Sequence, residues 1–227
     1  MDVLLDALTR AIVQISEPPG AYVYHLVALF AIESAGLMAL VGWWRRSGSG
    51  LGRLALALNA LFIFHLVGLV AVLLGAFGLL NPVYVVPPLT RGITAATLAI
   101  VLWITLAPNG SRWVDAFTAL LLAAIGIGLA LTWPDWIARA GTVNGFNATP
   151  YDALWSYAQT GAAALGLLWL VIRRPARWGL SLLLIGLLLI GHALHIILFV
   201  QQLNVAGVTR LVELIAYPLF LAFTAGA

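Results

Sequence analysis

Apolar residues gather into seven runs separated by short stretches rich in proline, glycine, arginine and asparagine. The runs cover 21–44, 54–80, 92–106, 113–133, 153–172, 178–200 and 208–225. Most are close to the roughly 20 residues that a helix needs to cross hydrocarbon. The third is the shortest, and Pro87-Pro88 ahead of it predict an extended approach rather than helix. Before the first run, Leu4, Leu8, Ile12 and Ile15 recur at helical spacing with Asp2 and Asp6 elsewhere on the wheel. This predicts a short amphipathic helix on the outer surface, ended by Pro18, Pro19 and Gly20. It has neither the basic leader nor the long apolar core of a signal peptide. The expected fold is all-α: a seven-transmembrane helix bundle over 21–227, preceded by an extracytoplasmic helical segment over 1–20.

Composition places the chain in a bilayer. Hydrophobic residues make up 63% of the 227, charged residues 8%, and mean hydropathy is +1.06; a soluble domain carries about a quarter charged residues. The absence of cysteine excludes disulfides, thiolate metal sites and cysteine nucleophiles. Lysine is absent as well, so a retinal Schiff base is excluded despite the seven runs. The formal charge of +3 comes from arginines that flank the runs, which points to the membrane and not to nucleic acid. Alternate connections carry Arg45, Arg46, Arg53, Arg112, Arg173, Arg174 and Arg177, against Arg91, Arg139 and Arg210 on the other side. The positive-inside rule then puts the amino terminus outside and the carboxyl terminus in the cytoplasm of a plasma (inner) membrane. Trp43, Trp44, Trp113, Trp133, Trp136 and Trp178 fall near the run ends, as interfacial aromatics do. No basic flank follows the seventh run, so the bundle is expected to be the membrane portion of a longer protein. The longest outer connection, 134–152, holds Asp135, Arg139, Asn144, Asn147 and Asp152, enough polarity for a lid over the bundle.

All four histidines and two of three glutamates lie inside the apolar runs: His25 and Glu33 in the first, His65 in the second, His192 and His195 in the sixth, Glu213 in the seventh. Ionisable side chains at such depth are costly, so they mark functional sites or structural pairs. At a helical rise of 1.5 Å per residue, His25 lies about 6 Å from its outer end, His195 and Glu213 about 8 Å, and His192 about 12 Å. Glu33 comes at about 18 Å and His65 at about 22 Å, near the midplane. None is deep in the inner half, a distribution that predicts a polar pocket opening outward. Glu33 with His65, and His195 with Glu213, are at matching depths on neighbouring helices and are also expected to satisfy one another as structural pairs. Pro218 is expected to kink the seventh helix by removing the bond to the carbonyl of Leu214.

Three uses of these residues follow. His192 and His195, three apart on one helix, can join His65 as three nitrogen ligands for zinc with a fourth position for water. This arrangement, with Glu33-Ser34 on the first run, resembles a superfamily of seven-span hydrolases that includes the alkaline ceramidases and progestin/adipoQ-type receptors. That family places its late histidines four apart on the last span and an aspartate on the third; here they are three apart on the sixth, and the run 92–106 has no carboxylate. Alternatively, His25 with His195 approach the depth match that a bis-imidazole haem requires, as in a membrane subunit of a larger complex.

The third use is sensing. The stretch Arg210-Leu211-Val212-Glu213-Leu214-Ile215-Ala216-Tyr217-Pro218 resembles the closing helix of the seven-transmembrane input modules that front bacterial signalling proteins such as sensor histidine kinases. The resemblance implies a receptor that binds a small extracytoplasmic ligand, or a proton, among His25, Glu33, His65, His192, His195 and Glu213. The last helix would relay binding to a cytoplasmic signalling domain or partner. Transport is disfavoured because the inner halves of the runs offer no polar route.

Overall fold

The computed structural model describes residues 2–46, 49–107, 110–198 and 203–225. Among these the secondary structure is helical, without a strand. Helix α1 spans Asp2–Ser16, α2 Gly20–Arg46, α3 Ser49–Ala76, α4 Pro82–Leu106, α5 Arg112–Arg139, α6 Pro150–Arg173 and α7 Trp178–Leu198. The last span is two helices, α8 Gly207–Ala216 and α9 Leu219–Ala225. Seven stretches are long and apolar enough to cross a membrane: α2 to α7, and α8 with α9 together.

The spans close into a ring in the order α2, α3, α4, α6, α7, α8/α9 and back to α2, with α4 also touching α7. In α4, 67% of the most apolar window is buried, against 11% in α5, whose principal neighbour is α4. On α2 the fully buried Ala28, Ile32, Ala35 and Ala39 form one stripe with spacings of four, three and four residues. Small side chains on such a stripe let α3 approach closely through Ala55, Ala57, Leu58 and Leu61. The apolar core they build, completed by Val101, Leu184, Leu188 and Phe220, occupies the half of the bundle nearer the carboxyl terminus.

Helix α4 begins ten residues before the apolar run predicts, and it passes through Pro87 and Pro88. Three features make this permissible. Asn81 caps the start, accepting a hydrogen bond from the Val83 amide at 3.0 Å, and Pro82 occupies the first turn, where its missing N–H costs nothing. Pro87 and Pro88 cannot donate to the carbonyls of Val83 and Tyr84, four residues back. Those two carbonyls instead accept the indole N–H groups of Trp136, at 2.9 Å, and Trp133, at 3.0 Å. The same bonds explain why α5 runs through Pro134 to Arg139, where the apolar pattern ends it at Trp133. The connection after α5 is correspondingly shorter than the pattern suggests.

At the opposite end, Arg53 of α3 meets Asp115 of α5 at 2.5 Å and lies 4.6 Å over the ring of Trp103 of α4, which itself donates to Asp115 at 2.8 Å. This pins the peripheral α5. Arg177 donates to the carbonyl of Phe223 at 2.6 Å, a cation at the carboxyl end of the last helix.

Helix α1 packs on α2 and α8, burying Ile12 against Leu203 and Val208. The approach at Gly207 is close: a β-carbon there would lie 2.4 Å from Ser16 Oγ and 2.7 Å from the carbonyl oxygen of Ile12. Gly207→Ala is therefore expected to displace α1 and destabilise the protein by about 1–3 kcal/mol, which thermal unfolding in detergent would register. An unchanged melting temperature would show that α1 does not press on α8 there.

The seventh span breaks where Pro218 predicts. The amide of Tyr217 still bonds to the carbonyl of Glu213 at 2.9 Å, and beyond the break Phe220 and Leu221 bond only three residues back, to Tyr217 and Pro218.

Candidate functional site

The half of the bundle nearer the amino terminus is filled by polar side chains. Two groups of them adjoin, and both centre on arginines that the apolar pattern assigns to connections. Arg91 lies within α4 and Arg210 within α8, and each is only 2% exposed. Neither is a loop residue, so two of the three arginines counted for that side leave the tally and Arg139 remains.

The first group joins α4, α6 and α7. Arg91 Nη2 forms an ion pair with Asp152 Oδ1, donates to Asn147 Oδ1 at 2.7 Å, and lies 3.2 Å from His195 Nε2. His195 Nε2 is also 3.2 Å from Asp152 Oδ2. As an N–H it donates to the carboxylate, and as a bare nitrogen it accepts from the guanidinium. Gln159 of α6 donates to the carbonyl of Arg91 at 3.4 Å. His192 is buried one turn back on α7, near Arg91 and His195. Asp152 is held by the start of its own helix, where the Thr149 hydroxyl accepts its amide hydrogen.

Asn147 comes from the connection between α5 and α6, which folds over this end of the bundle through a 3-10 turn, Phe146–Ala148. The Phe146 amide donates to Asn204 Oδ1 at 2.9 Å, and the Asn147 amide and side chain donate to the carbonyls of Leu203 and Val205, both at 3.2 Å. Phe146 meets Trp136 edge-to-face with ring centroids 5.0 Å apart. Asn147 therefore ties Arg91 to the segment that leads into the seventh span. Asp135 and Arg139, in the last turns of α5, pair with each other at 2.8 Å near the surface, and Tyr151 donates to Asp135.

The second group joins α2, α3 and α8, with Thr97 from α4. Tyr24 donates to Glu213 Oε2, and the hydroxyl of Tyr217 also reaches that carboxylate. Tyr217 OH is 3.2 Å, and Thr97 Oγ1 3.5 Å, from His65 Nε2. Arg210 lies 4.8 Å over the ring of Tyr24 and donates through Nη1 to the carbonyl of Ile15 at 3.2 Å, at the end of α1. His25 and His65 are neighbours, with centroids 6.4 Å apart, and Gly68 makes room for His25: a β-carbon there would be 2.9 Å from its Cε1. Both nitrogens of His25, Nδ1 of His65, and Nε and Nη2 of Arg210 are buried without a protein hydrogen-bond partner. Buried polar groups are satisfied in the great majority of cases, so five such atoms in one place set this group apart from the rest of the interior.

A pocket of about 340 Å³ opens above this group. Arg210 forms part of its wall with Val72, Val83, Val86, Pro87, Leu203 and Asn204, and Ser16, Glu17 and Tyr22 line the side toward α1 and α2.

Five of the six sequence candidates thus converge on the same half of the bundle, in two sets: His25, His65 and Glu213 in one, His192 and His195 in the other. Glu33 does not join them. It is exposed on the outer face of α2, because the buried stripe runs through Ile32 and Ala35 and turns position 33 away from the bundle. Among the described residues no three histidine, aspartate or glutamate side chains converge to hold a metal ion. His65 faces Tyr217 and Thr97 while His195 faces Arg91 and Asp152, so His65, His192 and His195 do not form one ligand set. The same separation keeps His25 from facing His195 across a haem, and the expected Glu33–His65 and His195–Glu213 pairs are replaced by other partners.

The fold and its lining define a multi-pass, all-helical membrane protein with a charged, buried polar centre. Comparison with family models, with curated protein sequences and with solved structures gives no match.

Proposed function

We propose that this chain is the membrane input module of a sensor or receptor, which binds a small ligand or a proton from outside the cytoplasmic membrane. The observation that carries the reading is that one span holds both the polar centre and a hinge. Arg210, Glu213 and Tyr217 belong to the centre, and the helix breaks immediately afterwards, at Pro218. A change in what Arg210 and Glu213 contact is therefore placed to alter how α8 meets α9, which leads toward the carboxyl end. The ligand would need only to prefer one of two arrangements of that span.

The chemistry of the pocket narrows the ligand. Apolar walls with the Arg210 guanidinium among them suit a compact molecule with an apolar body and a hydrogen-bond-accepting or anionic head. Proton sensing would use Glu213, the carboxylate that Tyr24 and Tyr217 hold inside the centre. The arginine-rich connections at the opposite end support an amino terminus outside and a relay to a cytoplasmic signalling domain or partner. In this reading residues 1–20 form an outer helical cover and 21–227 the sensing bundle, anchored by the surrounding lipid.

The absence of cysteine makes a direct test clean. Spin labels on Ala222→Cys in α9 and Leu183→Cys in α7 report the position of the last helix in otherwise intact protein. Moving from pH 8 to pH 5.5, or adding short-chain carboxylates, is expected to shift the distance by about 2 Å or more, and Glu213→Gln is expected to remove the shift. Identical distance distributions under all conditions would refute the relay.

A further inference from the structure

Glu33 stands at the centre of α2, thirteen residues from each end of Gly20–Arg46, and its side chain is directed away from the bundle. A carboxyl group facing lipid at that depth is among the least favourable placements in a membrane protein, and such groups are almost always covered by protein or water. Asn59 of α3 lies beside the same stretch of α2. The two side chains share a notch of about 80 Å³ with Ile32, Gly36, Leu37 and Leu58. Asn59 uses one N–H on its own helix, donating to the carbonyl of Ala55 at 2.8 Å, which leaves its other N–H and its carbonyl oxygen for a partner. The site described above accounts for neither residue.

We infer that this notch is an interface between two copies of the chain, in which Glu33 of each copy bonds with Asn59 of the other. Three features argue for a second copy. Two copies inserted the same way are related by a two-fold axis along the membrane normal, so reciprocal pairing requires Glu33 and Asn59 to lie at similar depth. They do: Glu33 is about 20 Å from Arg46 and Asn59 about 15 Å from Ser49 along adjacent antiparallel helices, a difference of one helical turn. The groups are complementary, because the Glu33 carboxyl accepts hydrogen bonds and Asn59 has an N–H left to donate. Gly36 keeps the notch open between them, so a partner helix can come close, as small residues permit in membrane helix pairs. Lipid headgroups, the other polar species in a bilayer, do not reach the midplane.

Oxidative crosslinking in native membranes tests this without background, because the chain has no cysteine. Leu37→Cys, exposed beside the notch, is expected to give a disulfide-linked dimer, whereas Ile127→Cys, exposed on the peripheral α5, is expected to give little. Adding Glu33→Leu or Asn59→Leu to Leu37→Cys removes both symmetry-related contacts and is expected to weaken dimerisation about eightfold. Glu33→Gln keeps a planar head with an accepting oxygen and is expected to retain most of it. Melting temperatures of the leucine variants show that the monomer still folds. A monomeric mass by native mass spectrometry, equal crosslinking at Ile127→Cys, or a dimer indifferent to Glu33→Leu in well-folded protein would each overturn the interface.

Discussion

Asp152→Ala is expected to destabilise the bundle by about 3–5 kcal/mol, the usual cost of removing one partner from a buried ion pair. Arg91 and Asp152 are 2% and 1% exposed, and the remaining neighbours of the guanidinium, Asn147 and His195, bring no negative charge. The loss therefore arises mainly from an uncompensated cation inside the ring of helices. A double variant separates this from the worth of the pair itself. Arg91→Met with Asp152→Leu removes both charges and keeps side-chain volume, and replacing a buried pair in this way is often neutral. Thermal unfolding of the three proteins in one detergent is the check. If Asp152→Ala alone lies within about 1 kcal/mol of the unaltered protein, far below that range, the pair does not organise the α4–α6–α7 contact.

Trp136→Ala is expected to cost about 3–5 kcal/mol, as buried tryptophan truncations do. Trp136 is 1% exposed, packs on Phe146, and supplies the hydrogen bond that Pro87 cannot make to Val83. Trp136→Phe keeps most of the ring and loses only the indole N–H, so about 1 kcal/mol is expected from the unsatisfied carbonyl. Pro87→Ala restores a backbone donor four residues after Val83. Combining it with Trp136→Phe should therefore recover part of that loss, a coupling that a double-mutant cycle measures. Strictly additive effects would show that the indole does not stand in for the missing amide.

The spans were legible because hydropathy over 18 or more residues has few alternative meanings. The histidines and Glu213 were legible for the same reason: each interrupts an apolar run. Arg91 and Arg210 were not, because each sits near a run end, where an arginine ordinarily faces water. Arg210 and Glu213 are three residues apart on one helical face, and that spacing is the signal that places the arginine in the same polar centre as the carboxylate. Asn147 and Asp152 were legible only as part of a polar connection, and it is the tertiary fold that turns these two inward rather than Asp135 or Arg139. Nothing in the sequence sets Tyr24 apart, and Tyr217 stands out only as the residue before Pro218. Glu33 illustrates the opposite error. Depth alone groups it with the histidines, whereas its position on the helical wheel, between Ile32 and Ala35, directs it outward.

The ion pair between α4 and α6 also constrains how the chain is made. Arg91 and Asp152 are 61 positions apart (152 − 91), and the whole of α5 is synthesised between them. At about 5–20 residues per second, the arginine waits several seconds for its carboxylate. During that interval α4 must be accepted by the insertion machinery with an unpaired cation, at about 2.5–3.5 kcal/mol for a central position and less toward an end. The uncharged, largely apolar stretch from Ile93 to Leu106 can offset that cost, and α5, held at the periphery, leaves the flank of α4 free for α6 to dock. Biogenesis of this bundle thus depends on late pairing across a bystander helix, and a change that makes α4 less apolar should reduce membrane insertion before it affects the stability of the finished protein.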